Sequence, residues 1–137
     1  MEAFTNRITL GGKQARYYDL SQFNQPLDSS STPRAPAHFY SGNSFTVGTY
    51  TPLLSKLATE FDISSLALRG YWYDKPQSRR LTREQDADML IEFLEKTQDK
   101  PVVGIGHSQG ATATAMAAAK RPELFSQLYL IEPVTFT

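Results

Sequence analysis

Five consecutive residues, Gly106-His107-Ser108-Gln109-Gly110, carry the clearest chemical signal in the chain, and they directly follow the apolar run Pro101-Val102-Val103-Gly104-Ile105. A strand that ends in Gly-x-Ser-x-Gly and opens into a helix reads as a nucleophile elbow, a sharp turn that lifts a serine hydroxyl above a sheet. The bland alternative is a glycine-rich strand–helix turn with no chemistry. A serine hydroxyl is a weak nucleophile at neutral pH and needs a base for its proton and donors for the oxyanion that forms. Gly106 and Gly110 suit positions pressed against neighbouring backbone. A helix starting at Gln109 aims its free N–H groups and positive dipole end at the reacting atoms.

The partners of such a serine are harder to find. No histidine follows Ser108 before the last residue, Thr137. His107 adjoins the serine, and its side chain should point away from the nucleophile's face, a packing role. His38 sits in Ala37-His38-Phe39-Tyr40, a predicted strand end. The carboxylates after Ser108 are Glu123 and Glu132. Glu123 follows Pro122 and reads as surface. Glu132 ends the strand after the elbow helix, and is either a catalytic acid or a carboxylate that orders a loop or pairs with a cation.

These residues need a scaffold, and the pattern supplies one. Arg7 to Leu10 and Ala15 to Leu20 read as an antiparallel hairpin turning at Gly11-Gly12. Residues 21–34 read as a surface loop. Residues 37–40 form a strand, 47–61 a helix with Tyr50, Leu53, Leu54, Leu57 and Phe61 on one face, and 63–68 a strand. Residues 69–81 read as loop. Thr82-Arg83-Glu84-Gln85 is a capping box that starts a helix with Ala87, Leu90, Ile91 and Leu94 on one face. Residues 101–105 form a buried strand, 109–120 an alanine-rich helix packed close to the sheet, and 128–131 a further buried-type strand. A hairpin followed by alternating strands and helices predicts an α/β protein: a mainly parallel sheet with helices on both faces, in one domain over residues 1–137.

Several further segments carry the resemblance that this pattern suggests. Pro36-Ala37-His38-Phe39-Tyr40-Ser41-Gly42 resembles an oxyanion loop, with Phe39 where glycine is usual. Leu68-Arg69-Gly70-Tyr71-Trp72-Tyr73-Asp74-Lys75-Pro76 resembles the loop often written Arg-Gly-His-Gly-x-Ser-x-Lys-Pro. Gly104 to Gly110, Arg121-Pro122-Glu123-Leu124-Phe125 and Leu130-Ile131-Glu132-Pro133 complete the set. Together they resemble the N-terminal half of an α/β-hydrolase fold protein of the serine-nucleophile, esterase- or lipase-like kind, from near Thr5 to the end.

The resemblance implies a serine hydrolase acting on carboxylic esters or related acyl substrates through an acyl-enzyme. Ser108 would be the nucleophile, and the backbone N–H groups of Gln109 and Tyr40 the oxyanion donors. Gly106 and Gly110 would support the elbow, His38 would order the oxyanion loop, and Glu132 is the candidate acid. Phe39 and Trp72 are candidates for a substrate pocket, with loop packing as the alternative. The resemblance also implies an incomplete fold. The cap, the later strands and the catalytic histidine lie in a C-terminal half that could complement this one, so the chain alone is expected to be inactive. A truncated remnant or pseudoenzyme that acts by binding is the alternative, and a haloperoxidase-like or C–C bond hydrolase would share the same serine.

The small-molecule substrate is what the resemblance implies, and composition adds only exclusions. Lys and Arg number 14 and Asp and Glu number 14, so no charge excess suggests nucleic acid or an anionic membrane. Arg79, Arg80 and Arg83 read as a solvated face. The absence of cysteine excludes disulfides, thiolate metal sites and cysteine nucleophiles. No His/Asp/Glu cluster has metal-ligand spacing, no glycine-rich loop fits a dinucleotide, and no cofactor is expected. No apolar run approaches the roughly 20 residues of a membrane helix, and the N-terminus lacks a signal-peptide pattern. The expected location is the cytoplasm.

Overall fold

A computed structural model of the chain describes residues 4–20, 34–42, 47–74 and 82–133. Strands β1 (Thr5–Leu10) and β2 (Lys13–Asp19) form the expected hairpin. Gly11 and Gly12 both take positive φ, 56° and 78°, as a two-residue turn matched to strand twist requires. Then follow β3 (Ala35–Tyr40), α1 (Thr51–Leu57), β4 (Phe61–Leu66), α2 (Arg83–Thr97), β5 (Val102–His107), α3 (Gln109–Lys120) and β6 (Phe125–Ile131). The six strands make one sheet in the order β1-β2-β4-β3-β5-β6. The hairpin joins antiparallel through β2 and β4, and every later pairing is parallel.

Strand β3 shows how the two faces are covered. Phe39 packs edge-on against Tyr50, just before α1, with ring centroids 4.7 Å apart. His38 lies 5.4 Å from Phe93 of α2, and the Tyr40 hydroxyl faces Asp86 of the same helix. Alternate residues of a strand point to opposite faces, so α1 and α2 lie on opposite sides of the sheet. Helices α2 and α3 pack against each other and share one face. The core runs through both layers, with Leu10, Phe39, Ile63, Leu66, Leu90, Phe93, Leu94 and Val102 fully buried or nearly so.

Some boundaries move. The helix expected over residues 47–61 is a 3-10 turn (Val47–Tyr50) followed by only two turns of α-helix. Pro52 lies at the start of α1, where a missing N–H costs nothing. The Thr59 hydroxyl donates to the Lys56 carbonyl at 2.7 Å, closing the helix, and Phe61 already pairs with Ala35 as the first residue of β4. Residues 69–71 form a 3-10 turn rather than open loop. The loop at 21–33 and the basic pair Arg79-Arg80 lie outside the described residues. Strand β6 begins three residues early and is an edge of the described sheet, where the buried-type residues Leu128, Tyr129, Leu130 and Ile131 lie exposed.

Candidate active site

Chain order alone fixes where a site can form. From β3 the sheet grows to one side with β4, then returns to the other side of β3 with β5. Ligand crevices in parallel sheets open at the carboxyl ends of strands where the order reverses. Here that point lies between Tyr40, the last residue of β3, and His107-Ser108 at the end of β5. Tyr40 pairs with Gly106 across the two strands, and there the ladder ends.

Ser108 stands in the turn between β5 and α3 at φ 57° and ψ −119°. This is the mirror image of the first corner of a type II turn, easy for glycine and costly for other residues by about 1–3 kcal/mol. Packing holds it there. A Cβ on Gly106 would lie 2.6 Å from Ala111 Cα, and one on Gly110 would overlap the carbonyls of Tyr40 and Ser41. The Ser108 N–H donates to the Ile131 carbonyl of β6 at 2.9 Å, and its own carbonyl accepts from Ala111 and Thr112. Gln109 is the first residue of α3, so its N–H has no acceptor one turn earlier in the helix. A small cavity of about 30 Å³ is walled in part by Tyr40, Ser41, Asp86, Gln109 and Gly110. Tyr40 and Gln109, the two residues expected to donate to an oxyanion, both line this cavity, and Ser108 does not.

The other candidates are placed as follows. His38 is fully buried, and its Nε2 accepts the Leu66 N–H of β4 at 3.0 Å. It thus ties β3 to β4, where ordering of the oxyanion loop was expected. Burial without a counter-charge lowers its pKa to about 3. His107 is only partly buried. Its Nδ1 lies 2.8 Å from the Tyr50 hydroxyl and its Nε2 3.8 Å from Glu132 Oε2. Glu132 takes a positive φ of 48°, and its side chain is 84% exposed. Phe39 is 0% and Trp72 3% exposed, and the Trp72 indole N–H donates to the Ala67 carbonyl at 2.8 Å. In place of the expected pocket wall, both rings are packed into the core.

Two residues join the site that sequence patterning did not single out for it. Asp86 enters the cavity from the first turns of α2, 3.5 Å from the Tyr40 hydroxyl. Burial raises its pKa to about 6, against the opposing pull of the Tyr40 hydrogen bond and of Arg69. Its signal was its place on the buried stripe of α2, four residues before Leu90 and seven before Phe93. Tyr50 is the second. Its spacing places it on a helix face, and its hydroxyl bonds both the Gly42 N–H, at 3.0 Å, and His107.

Among the described residues no group of three or more His, Cys, Asp or Glu side chains is placed to hold a metal ion, and no helix is long and apolar enough to cross a membrane.

The chain resembles hydrolases both in sequence and in shape. It is 32% identical over 95 residues to the uncharacterized hydrolase YugF of Bacillus subtilis (strain 168), a match covering 69% of this chain and 34% of YugF. The crystal structure of an N-formylmaleamic acid deformylase from Pseudomonas putida superposes with a TM-score of 0.76 at 21% identity, over 94% of this chain and 46% of that one. A membrane phospholipase A described as a bacterial virulence factor superposes with a TM-score of 0.79 at 17% identity, over 97% and 40%. The chain thus spans about a third to a half of the length of these relatives. The alpha/beta hydrolase fold family model matches residues 36–137, and the chain belongs to that family.

Proposed function

We propose that this chain supplies the nucleophile half of a serine hydrolase acting on carboxylic esters or related acyl substrates. The observation that carries the reading is Ser108, held at φ 57° and ψ −119° at the strand-order reversal, between glycines that leave no room for a Cβ. Strain of this kind persists only where packing over-determines it, and it marks functional positions.

In this reading Ser108 Oγ adds to the substrate carbonyl carbon, the π pair moves onto oxygen, and the serine proton passes to a base. The oxyanion lies against the N–H groups of Gln109 and Tyr40. Collapse expels the alcohol, which takes the proton back from the base, and water then releases the carboxylic acid from the acyl-enzyme. The chemistry requires no cofactor. The base is a histidine from a complementing C-terminal segment, because His38 Nε2 is committed to the Leu66 N–H and the His107 ring is turned toward Tyr50 at Nδ1 and toward Glu132 at Nε2. Glu132 remains the candidate acid, standing beside His107 at the end of β6.

The test mixes the protein with a separately expressed segment that supplies the later strands and the histidine. Hydrolysis of a chromogenic ester and labelling by a fluorophosphonate are then measured. Both are expected to appear on mixing and to vanish in Ser108→Ala without loss of folded structure. Turnover that survives in Ser108→Ala removes Ser108 as nucleophile. Failure of every pairing favours a remnant that acts by binding.

A further inference from the structure

The sheet ladder between β3 and β5 ends at the Tyr40–Gly106 pair. The groups assigned to chemistry lie at and just beyond that pair, and something must fix their separation. Gly42 lies two residues past Tyr40, and His107 one residue past Gly106. The Tyr50 hydroxyl accepts the Gly42 N–H at 3.0 Å and meets His107 Nδ1 at 2.8 Å. The three groups are in close contact: a Cβ on Gly42 would lie 3.1 Å from the Tyr50 oxygen and 3.3 Å from His107 Nδ1. The Tyr50 ring is itself fixed, edge-on to Phe39 at 4.7 Å and to His107 at 5.6 Å between centroids.

We propose that Tyr50 is a positioning residue of the site, its hydroxyl clamping the loop after β3 to the nucleophile elbow. On the side facing α3, Gly110 already presses against the Tyr40 and Ser41 backbone. Tyr50 supplies the second point of attachment, and two points set both the distance and the tilt of the Tyr40 N–H relative to Ser108. Tyr50 does not touch the substrate. Its effect on turnover rests on the hydrolase reading above, whereas the clamp itself is a property of the fold. A displacement near 1 Å at reacting groups costs on the order of a hundredfold in rate, so a joint at this place governs kcat more than binding.

Tyr50→Phe tests the clamp because it removes one oxygen and keeps the ring on Phe39. Hydrogen exchange at the Gly42 amide is expected to speed up about five- to tenfold, with the thermal midpoint little changed. In the protein mixed with its complementing segment, kcat is expected to fall about ten- to a hundredfold with KM within about twofold. Unchanged exchange at Gly42 overturns the clamp, and an unchanged kcat beside faster exchange overturns the positioning role. Should Tyr50→Phe fail to fold, the ring ¹⁵N resonances of His107 in the unsubstituted protein decide. A hydrogen-bonded Nδ1 in one tautomer is expected, and the averaged signals of a free imidazole overturn the proposal. If no pairing gives hydrolysis while Gly42 exchange still responds to Tyr50→Phe, the hydrolase reading fails and the joint stands.

Discussion

Ser108 occupies a backbone conformation that its own residue type resists, and the surrounding packing keeps it there. Gly106 lets α3 approach the end of β5, Gly110 lets α3 approach Tyr40 and Ser41, and the Ile131 carbonyl holds the Ser108 N–H. Removing the side chain relieves the strain and leaves these contacts in place. Ser108→Gly is therefore expected to raise stability by about 1 kcal/mol, part of which is offset by the larger entropy of an unfolded glycine. Urea unfolding of the two proteins measures it. A loss of about 1 kcal/mol or more would mean that the positive φ carries no strain. The elbow was legible in the sequence because serine between two glycines after an apolar run has few other uses. Tyr50 and Asp86 were not legible as site residues. Each looks like an ordinary helix residue until the fold brings residues 42 and 107, or 40 and 86, into contact.

The elements divide by what defines them. Strands β3 and β5 were legible because apolar runs flanked by turn residues have little choice in a covered parallel sheet. Helix α2 was legible from its start. Thr82 Oγ1 accepts the Gln85 N–H at 3.1 Å, and Gln85 Oε1 accepts the Thr82 N–H at 2.9 Å. Thr82→Ala is expected to cost about 1 kcal/mol. Because α2 carries Asp86 toward the Tyr40 hydroxyl, fraying of its first turn should also loosen that contact. Denaturation midpoints and the ring NMR resonances of Tyr40 follow the two effects. Stability unchanged in Thr82→Ala would show that tertiary contacts alone fix the start of α2. Helix α1 misled the reading because its apolar spacing continues through Phe61, where the parallel partner Ala35 imposes strand instead. Strand β6 has the composition of a buried strand and an exposed place in the described sheet. Composition reports what a strand is suited to contact, not what contacts it here.

At the scale of the molecule, the face of the sheet covered by α2 holds two titrating groups whose pH dependences oppose each other. His38, fully buried and lowered from 6.5 to about 3, binds more protons unfolded than folded between those values. Its contribution therefore falls away as pH drops below about 6.5. Asp86 is raised from 3.8 to about 6, so the folded state binds more protons across that interval. Its contribution is therefore greatest below about pH 4 and is lost as pH rises through about 6. Between about pH 4 and 6 the two slopes have opposite signs, and the parent protein should change stability less than either group alone dictates. Asp86→Asn separates them. The amide oxygen still accepts from the Tyr40 hydroxyl, and no carboxylate remains to be desolvated. The variant is expected to exceed the parent by about 3 kcal/mol at pH 7, with the advantage shrinking toward zero near pH 4. Urea unfolding of both proteins from about pH 4 to 7.5 gives the difference directly, and groups common to the two cancel in it. A difference that stays constant across the range would mean that Asp86 ionises as a solvated carboxylate does and that the cavity beside Tyr40 and Gln109 is open to water.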